Sequence, residues 1–323
     1  MAEAERFPIG EQVVAEPAFA APRTRDRQHD SIGYLFAATG AILFSIKAII
    51  VKLAYALAVD PETLLALRMG FSLPFYLAIG FLAVRGRRHK LAALPAPGRT
   101  VRAGLIGMLG MWVASYADFL GLQYISAQFE RLILLTYPLF VVLFGAVFFR
   151  QPVRPRALIA LGVSYAGLLL IFGENFSLEG EDVAVGAAFV LVAAVAFALY
   201  QLLAKDAIDE MGPRLFTCIA MTGASLAAFG QFFAGHRIGD LAVTGPLLFY
   251  SVVVAIGATV LPTFFMNAAL HRISAQANAT IGILSPVSTI LLAALILGER
   301  LTAMGVAGTL LVIGGVGWFT LRR

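Results

Sequence analysis

Six charged side chains interrupt long apolar stretches in the first half of the sequence: Lys47, Lys52, Arg68, Asp118, Glu130 and Arg131. A charge at membrane depth costs about 2.5–3.5 kcal/mol on insertion scales, so it normally faces a bundle interior or a cavity. At about 1.5 Å of rise per residue, the six fall in one layer of four predicted helices. Charges this concentrated should pair, and the surplus of cations could meet an anionic group.

Several of these charges have two open interpretations. Lys47 lies too deep to reach the surface easily, so it is either a cation in a cavity or half of a structural pair. Arg68 either contacts a ligand or is locked to Asp118 or Glu130. Lys52 lies close enough to a helix end for its ammonium to reach water.

Asp118 and Glu130 are the only acids well inside any apolar run. A desolvated carboxyl group can titrate near neutral pH, so these two would carry protons if protons are the coupling ion. Glu130 is followed by Arg131, and adjacent residues are about 100° apart on a helix. We therefore expect one of this pair to face a cavity and the other a neighbouring helix.

The second half of the sequence offers neutral polar groups instead of charges. Offsets between the two halves align Tyr200 with Lys47 and Asn278 with Glu130. Such groups could line the opposite wall of a cavity by hydrogen bonding. The candidates for that wall are Tyr200, Asn267, Gln276 and Asn278.

Ten apolar runs, each long enough or nearly so for a membrane span of roughly 20 residues, hold these side chains. Hydrophobic residues make up 60 % of the chain and charged residues 13 %, against about 25 % charged in soluble proteins. The sequence therefore predicts an all-α polytopic membrane protein. The predicted spans are Gly33–Leu57, Pro61–Val84, Ala103–Leu122, Ile125–Phe149, Ala157–Phe172, Val183–Ala204, Pro213–Ala234, Gly245–Leu270, Ile273–Leu297 and Ala303–Leu321.

Two prolines and one acidic residue mark special points of these spans. Pro138 and Pro286 lie mid-span, where proline frees a carbonyl and tends to kink a helix, so both are hinge candidates. Glu299, followed by Arg300, lies at a helix end, where we expect both side chains to reach water and to stop the helix.

The distribution of Lys and Arg predicts the orientation. If the N-terminus lies in the cytoplasm, nearly all Lys and Arg between the spans lie inside, and only Arg237 and Arg300 lie outside. The positive-inside rule then places both termini in the cytoplasm. Residues 1–31 are polar and read as a disordered tail. We expect an integral protein of the cell membrane, in a bacterium the inner membrane.

The chain also repeats itself. Ile125–Pro138 and Ile273–Pro286 share the letters ISAQ and a proline at a fixed offset, and Gly33 to Lys52 matches Gly186 to Lys205 at another offset. Two halves of five spans each follow, at residues 32–173 and 183–321. Because five is odd, the halves run oppositely through the membrane as inverted repeats, an architecture that recurs in transporters.

Three sequence blocks carry a resemblance to a known family. They are LLALRMGF in the second span, ISAQ with its proline, and LGERLT at Leu297–Thr302. With ten spans in two halves, the chain resembles the EamA-type permeases of the drug/metabolite transporter superfamily. It departs from them at Phe148–Val153, where FFRQPV stands in place of LGER-like residues. The resemblance covers roughly Ile32–Leu321.

The resemblance implies a secondary transporter working by alternating access on a small metabolite, such as an amino acid or a related compound. Export is common in that family and favours an exporter. A lipid or lipid-linked sugar flippase component, or a membrane-bound lipid-modifying enzyme, are the alternatives. The sequence lacks HExxH, GxSxG and GxxxxGK[ST] motifs, so we expect no enzyme, cofactor or metal site and no nucleic-acid partner.

Overall fold

The computed structural model describes residues 31–89, 95–149, 155–179, 182–272, 281 and 284–321. Within these ranges the regular elements are helical, as predicted. Three π-helical segments, Met108–Val113, Val253–Val260 and Ala293–Leu297, continue α-helices. The α-helices are α1 (Ser31–Tyr55), α2 (Pro61–His89), α3 (Pro97–Gly107), α4 (Ala114–Tyr124), α5 (Ala127–Leu134), α6 (Tyr137–Phe149), α7 (Pro155–Glu179), α8 (Asp182–Met211), α9 (Pro213–Gly235), α10 (Gly245–Val252), α11 (Leu261–Arg272), α12 (Leu284–Leu292) and α13 (Ala303–Leu321).

The described helices have the length and composition of membrane spans. Seven are candidates: Ser31–Tyr55, Pro61–Arg87, Pro97–Tyr124, Ala127–Phe148, Asp182–Ala204, Pro213–Gly235 and Gly245–Met266. Three shorter apolar helices are Gly162–Glu174, Leu284–Leu297 and Ala303–Gly315. Large apolar side chains such as Phe81, Leu169 and Leu295 are exposed on the bundle surface, as a surface in contact with lipid requires. The polytopic helical class is thus supported, while the number of ten spans stays a prediction.

The two halves of the chain pack against each other through several helix pairs. The most extensive helix contacts pair α7 with α13, α2 with α9, α4 with α8, and α1 with α11. Each of these pairs joins a helix from the first half to one from the second. A polar group buried on α1, α2 or α4 therefore lies close to second-half helices.

The start of α2 is fixed by the residues that precede it. Asp60 Oδ1 accepts a hydrogen bond from the Thr63 backbone N–H at 2.8 Å, and Pro61 occupies the first turn, where a missing N–H costs nothing. Burial raises the pKa of Asp60, but the hydrogen bonds from Thr63 and the charge of His236 outweigh it, so this pKa lies below its usual value. Asp60 and His236 also link α2 to the end of α9, at 3.5 Å.

The predicted span Ile125–Phe149 is broken rather than kinked. α5 ends at Leu134, and Leu135–Thr136 form a turn before α6 begins. Pro138 has no N–H to donate to the Leu134 carbonyl, so one hydrogen bond that would join α5 to α6 is missing. The Thr136 hydroxyl instead donates to the Ile133 carbonyl at 2.6 Å. The other hinge candidate, Pro286, is buried within α12.

Close approach of α3 and α9 requires glycine at Gly223. A Cβ atom at this position would lie 2.7 Å from the carbonyl oxygen of Gly104 and 2.9 Å from its Cα. Both atoms belong to the α3 backbone, which cannot move aside as a side chain can. Small residues at such crossings are the usual means by which membrane helices approach closely.

We expect Gly223→Ala to destabilise the protein by about 1–3 kcal/mol, the range for overpacking. Thermal unfolding of the purified protein in detergent measures the effect. Gly230→Ala is the matched control, because it lies on the same helix and a Cβ there meets nothing within 4 Å. Equal stability of the two variants would contradict the close contact of α3 and α9.

Candidate functional site

Four of the predicted charges form one buried group, called here the charge cluster: Lys47 of α1, Asp118 of α4, and Glu130 and Arg131 of α5. The Lys47 Nζ atom lies 2.5 Å from Asp118 Oδ2 and 3.8 Å from Glu130 Oε1. The Arg131 Nε atom lies 3.7 Å from Glu130 Oε2. With two cations and two carboxylates, the charge cluster is neutral when all four groups are ionised.

The two carboxylates of the charge cluster are held differently. Asp118 Oδ2 accepts a hydrogen bond from Lys47. Glu130 is 0 % exposed, yet neither of its carboxylate oxygens accepts a hydrogen bond from a described residue. Its contacts with Lys47 and Arg131 are longer ion contacts. The protein therefore stabilises the ionised form of Glu130 less than that of Asp118, because hydrogen bonds to a carboxylate favour its charged form.

Glu130 and Arg131 both reach the same neighbouring helix, and the expectation that one of them faces a cavity stays a prediction. Both side chains are buried and both reach α1, where Glu130 approaches Lys47 and the Arg131 Nη2 atom donates to the Phe44 carbonyl at 3.0 Å. The angle of about 100° between adjacent residues fixes where the Cβ atoms point. It does not fix where long, flexible side chains end, so both can bend towards one neighbour.

The ISAQ motif of the first half, Ile125–Gln128, leads into α5 and contains its first residues. The Ser126 hydroxyl accepts a hydrogen bond from the Phe129 N–H at 3.2 Å, which makes Ser126 the N-cap residue. The first N–H groups of a helix have no partner inside the helix and need one outside it. Ser126 thus sets the beginning of the helix that carries Glu130 and Arg131.

Glu299 completes that helix start from the other half of the chain. Its carboxylate accepts hydrogen bonds from the N–H groups of Ala127 at 2.8 Å and Gln128 at 3.3 Å. Arg300 is exposed, as expected, but Glu299 is half-buried, and its carboxylate caps α5 rather than stopping its own helix. The stop is made by Gly298, whose φ of +68° lies in the left-handed region that glycine adopts readily.

We expect Glu299→Gln to lower the stability of the protein by about 0.5–2 kcal/mol, the range measured for lost helix caps. An amide has one acceptor oxygen in place of the two that receive these N–H groups, and it lacks the negative charge that favours a helix N-terminus. Thermal unfolding measures the change. Glu210→Gln is the control, because Glu210 pairs with Arg99 at an exposed site, where an ion pair contributes little. A Glu299 effect no larger than the Glu210 effect would refute the cap.

Arg68 lies apart from the charge cluster. Its Nε atom donates to the Thr259 hydroxyl at 2.8 Å, and its guanidinium lies 5.5 Å from the ring centroid of Phe119. No ion pair joins Arg68 to Asp118 or Glu130 in the described structure, so the predicted lock is not formed. Lys52 lines a depression of about 440 Å³ at the helix ends.

The neutral wall predicted for the second half is only partly within the described structure. The Tyr200 ring packs on Gly110 and stacks with Phe197 at 5.7 Å, and the part of its hydroxyl in a polar wall stays a prediction. The Asn267 side chain, and Gln276 and Asn278 altogether, lie outside the described residues. Their part in a site stays a prediction.

Other hydroxyl groups of the second half approach α1 at Ser45. The Ser45 hydroxyl contacts the Ser285 hydroxyl at 3.1 Å and donates to the Ser285 carbonyl at 2.9 Å. The Thr289 hydroxyl donates to the Ser45 carbonyl at 3.4 Å. Sequence reasoning missed these residues and Thr259. The spacing of Ser285 and Thr289, four apart in an apolar run, was the signal that could have shown a polar helix face.

A family model described as the EamA-like transporter family matches residues 31–173 and 184–321. The uncharacterized transporter YcbK of Bacillus subtilis is 29 % identical over 90 % of this chain and 94 % of its own. An uncharacterized transporter of Clostridium kluyveri is 25 % identical over 88 % of this chain and 91 % of its own.

The fold also has a counterpart among solved structures. A structure described as "Crystal structure of protein" aligns with 91 % of this chain and 98 % of its own, with a TM-score of 0.61 and 17 % sequence identity. At that identity the likeness concerns the fold alone.

Proposed function

The chain belongs to the EamA-like transporter family, and from that premise we propose that it exports a small metabolite, such as an amino acid or a related compound, by alternating access. Family membership makes the chain an integral membrane transporter rather than an enzyme, with a small molecule as substrate. The direction and the substrate class are our inference. Export is proposed because it is common among permeases of this type.

The proposed architecture is ten spans in two inverted repeats, residues 32–173 and 183–321, after a cytoplasmic tail at residues 1–31. The family model matches each half separately, and seven candidate spans with three shorter apolar helices are compatible with five spans per half. We propose a cell-membrane location, the inner membrane of a bacterium, with both termini in the cytoplasm. The bias of Lys and Arg supports this orientation.

The charge cluster is the observation that carries the proposed mechanism. Charged groups buried inside a membrane bundle are rare and mark substrate or ion pathways. These four lie on first-half helices beside α12 of the second half, and two of them are on α5, a helix that ends inside its span. Broken helices at the junction of two repeats are typical of transporter binding sites. In our proposal Pro138 and Pro286 are hinges, and Lys47 and Arg131 face the pathway.

Protons are the coupling ion that we propose, with Glu130 as the carrier and Asp118 as its partner. Glu130 is fully buried and accepts no hydrogen bond from the described residues. Binding a proton there removes a buried charge, and it removes two ion contacts of 3.7 and 3.8 Å but no hydrogen bond. Asp118 is held at 2.5 Å by Lys47 and is expected to stay ionised.

A thermal-shift screen of the purified protein against amino acids, carboxylates and nucleosides tests the substrate class. Compounds that raise the unfolding temperature are then tested for counterflow in proteoliposomes. We expect at least one amino acid or related compound both to stabilise the protein and to exchange. Movement of phospholipids or lipid-linked sugars in the same vesicles, without exchange of any small metabolite, would instead support the flippase alternative.

A further inference from the structure

Arg68 is a buried cation that makes no ion-pair contact with a carboxylate of the described residues. Its side chain is only 3 % exposed, and the described structure contains no ion pair to it. The Nε atom is bonded to a neutral hydroxyl, that of Thr259. The Nη1 atom, which is fully buried, makes no hydrogen bond to a described residue. Buried charges in proteins are normally paired, because an isolated one is very costly.

The nearest acids are already committed elsewhere. Asp118 holds Lys47 at 2.5 Å, and Glu130 lies between Lys47 and Arg131. Because the charge cluster is neutral in itself, the single positive charge of Arg68 is left over. One monoanionic group would neutralise it.

A second unsatisfied donor lies near Arg68 on the same helix. The Tyr76 ring is fully buried, and its hydroxyl, which approaches Thr263, forms no hydrogen bond of good geometry. Thr263, which the Tyr76 hydroxyl approaches, donates to the Thr259 carbonyl, and Thr259 is the residue that binds Arg68. Two donors on α2 thus lack acceptors in one region.

The surroundings of these donors have the composition of a small-molecule site. Phe119 lies under the guanidinium, and Phe264 packs on Tyr76 with ring centroids 6.0 Å apart. The opposite wall includes Thr259 in the π-helical segment Val253–Val260. π-helical segments inside α-helices occur often at functional sites. The region joins α2 of the first half to the second half, as a substrate site between two repeats requires.

We propose that Arg68 receives the carboxylate of the transported substrate, with the Tyr76 hydroxyl as a second donor. This rests on the proposed transport function. A carboxylate fits because guanidinium groups hold carboxylates by strong charge-assisted hydrogen bonds. One left-over positive charge also suits a monoanion better than a phosphate dianion. The substrate is then an amino acid or a monocarboxylic acid.

Thermal-shift titrations of the purified full-length protein test the site. The probes are L-amino acids, short monocarboxylates, the primary amides of both sets, and inorganic phosphate. We expect the acids, but not their amides, to raise the unfolding temperature. If amino acids do so, the substrate is an amino acid; if only short monocarboxylates do so, it is a monocarboxylic acid. Equal responses to acids and amides, a response to phosphate alone, or no response to any acid would overturn the proposal.

Arg68→Gln is expected to weaken binding of the active acid at least about tenfold, which corresponds to about 1.4 kcal/mol. Without ligand, the same variant is expected to unfold at a temperature equal to or above that of the wild type, because an uncompensated buried cation has been removed. A structural role would have the opposite effect. Arg85→Gln, at an exposed position of the same helix, is the control and should bind as the wild type does.

Thr259→Val serves as a second variant, because it removes only the hydroxyl that positions Arg68 and does not depend on the folding of Arg68→Gln. It is expected to weaken acid binding several-fold. Normal binding of the acid by both variants would overturn the carboxylate site while leaving the transport function standing. Failure of the wild type to exchange any compound in proteoliposomes would instead overturn the transport function itself.

Discussion

Lys47→Met is expected to abolish substrate exchange and to destabilise the protein, whereas Lys47→Met/Asp118→Leu is expected to recover stability without recovering exchange. Removing one partner of a buried ion pair typically costs about 3–5 kcal/mol, while replacing both partners by apolar groups of similar volume is often neutral. Lys47 and Asp118 form such a pair at 2.5 Å, with Asp118 only 2 % exposed. The Glu130 and Arg131 pair remains in the double variant.

Thermal unfolding and proteoliposome counterflow, measured on the same preparations, separate the two roles of this pair. The compound used is the one that stabilises the wild type most in the thermal-shift screen. Lys52→Ala is the control, since Lys52 lies on the same helix and outside the charge cluster. If the double variant regains exchange together with stability, the pair has a structural role only and the pathway lies elsewhere.

Glu130→Gln is expected to remove the dependence of transport on a pH gradient while leaving substrate exchange. The amide imitates the protonated carboxyl group and cannot release a proton. We expect gradient-driven flux to fall at least about tenfold, equivalent to about 1.4 kcal/mol. Counterflow, which needs no net proton movement, should stay close to that of the wild type. Both assays use proteoliposomes with an imposed pH difference.

Asp118→Asn is the matched control for Glu130→Gln. It is also a replacement of a buried acid by its amide, but it removes the hydrogen-bonded partner of Lys47. We expect it to reduce exchange and gradient-driven flux alike. A Glu130→Gln protein that still responds to the pH gradient would show that another group carries the proton, or that protons are not coupled to transport.

The charged groups that face Glu130 influence how readily it binds a proton. The charged side chains that act on it are Lys47 from α1, Asp118 from α4 and Arg131 from its own helix. The helices α7, α8, α12 and α13 also pack on α5, and α12 contributes the Ser285 and Thr289 hydroxyl groups, which contact Ser45 of α1. A movement of α5 against α1 would change the distance to Lys47 and Arg131 unequally. Such a movement would change how readily Glu130 binds a proton.

The Glu299 cap suggests where that movement begins. It is a contact between halves, because Glu299 belongs to the second half and the N–H groups of Ala127 and Gln128 to the first. The helix that it caps carries two of the four clustered charges. Opening of the bundle at this end would have to break the cap, which ties the position of α5 to the conformational state.

The sequence was sufficient to predict the helical membrane class and which residues carry charge inside it. Apolar length and the cost of a buried charge are properties of single segments, and both can be read without knowing any neighbour. Serine before a helical run is likewise a local signal, and Ser126 is indeed the N-cap of α5. The presence of Lys47, Asp118, Glu130 and Arg131 in one layer therefore followed from their distances along helices.

Only the tertiary structure decided which of these groups meet. Distance along a helix gives depth but not the rotation of the helix or the identity of the helix opposite. The pairing of Lys47 with Asp118, the isolation of Arg68 beside Thr259, and the capping of α5 by Glu299 each join residues far apart in the chain. They depend on how α1, α2 and α5 pack against their neighbours, which local sequence does not encode.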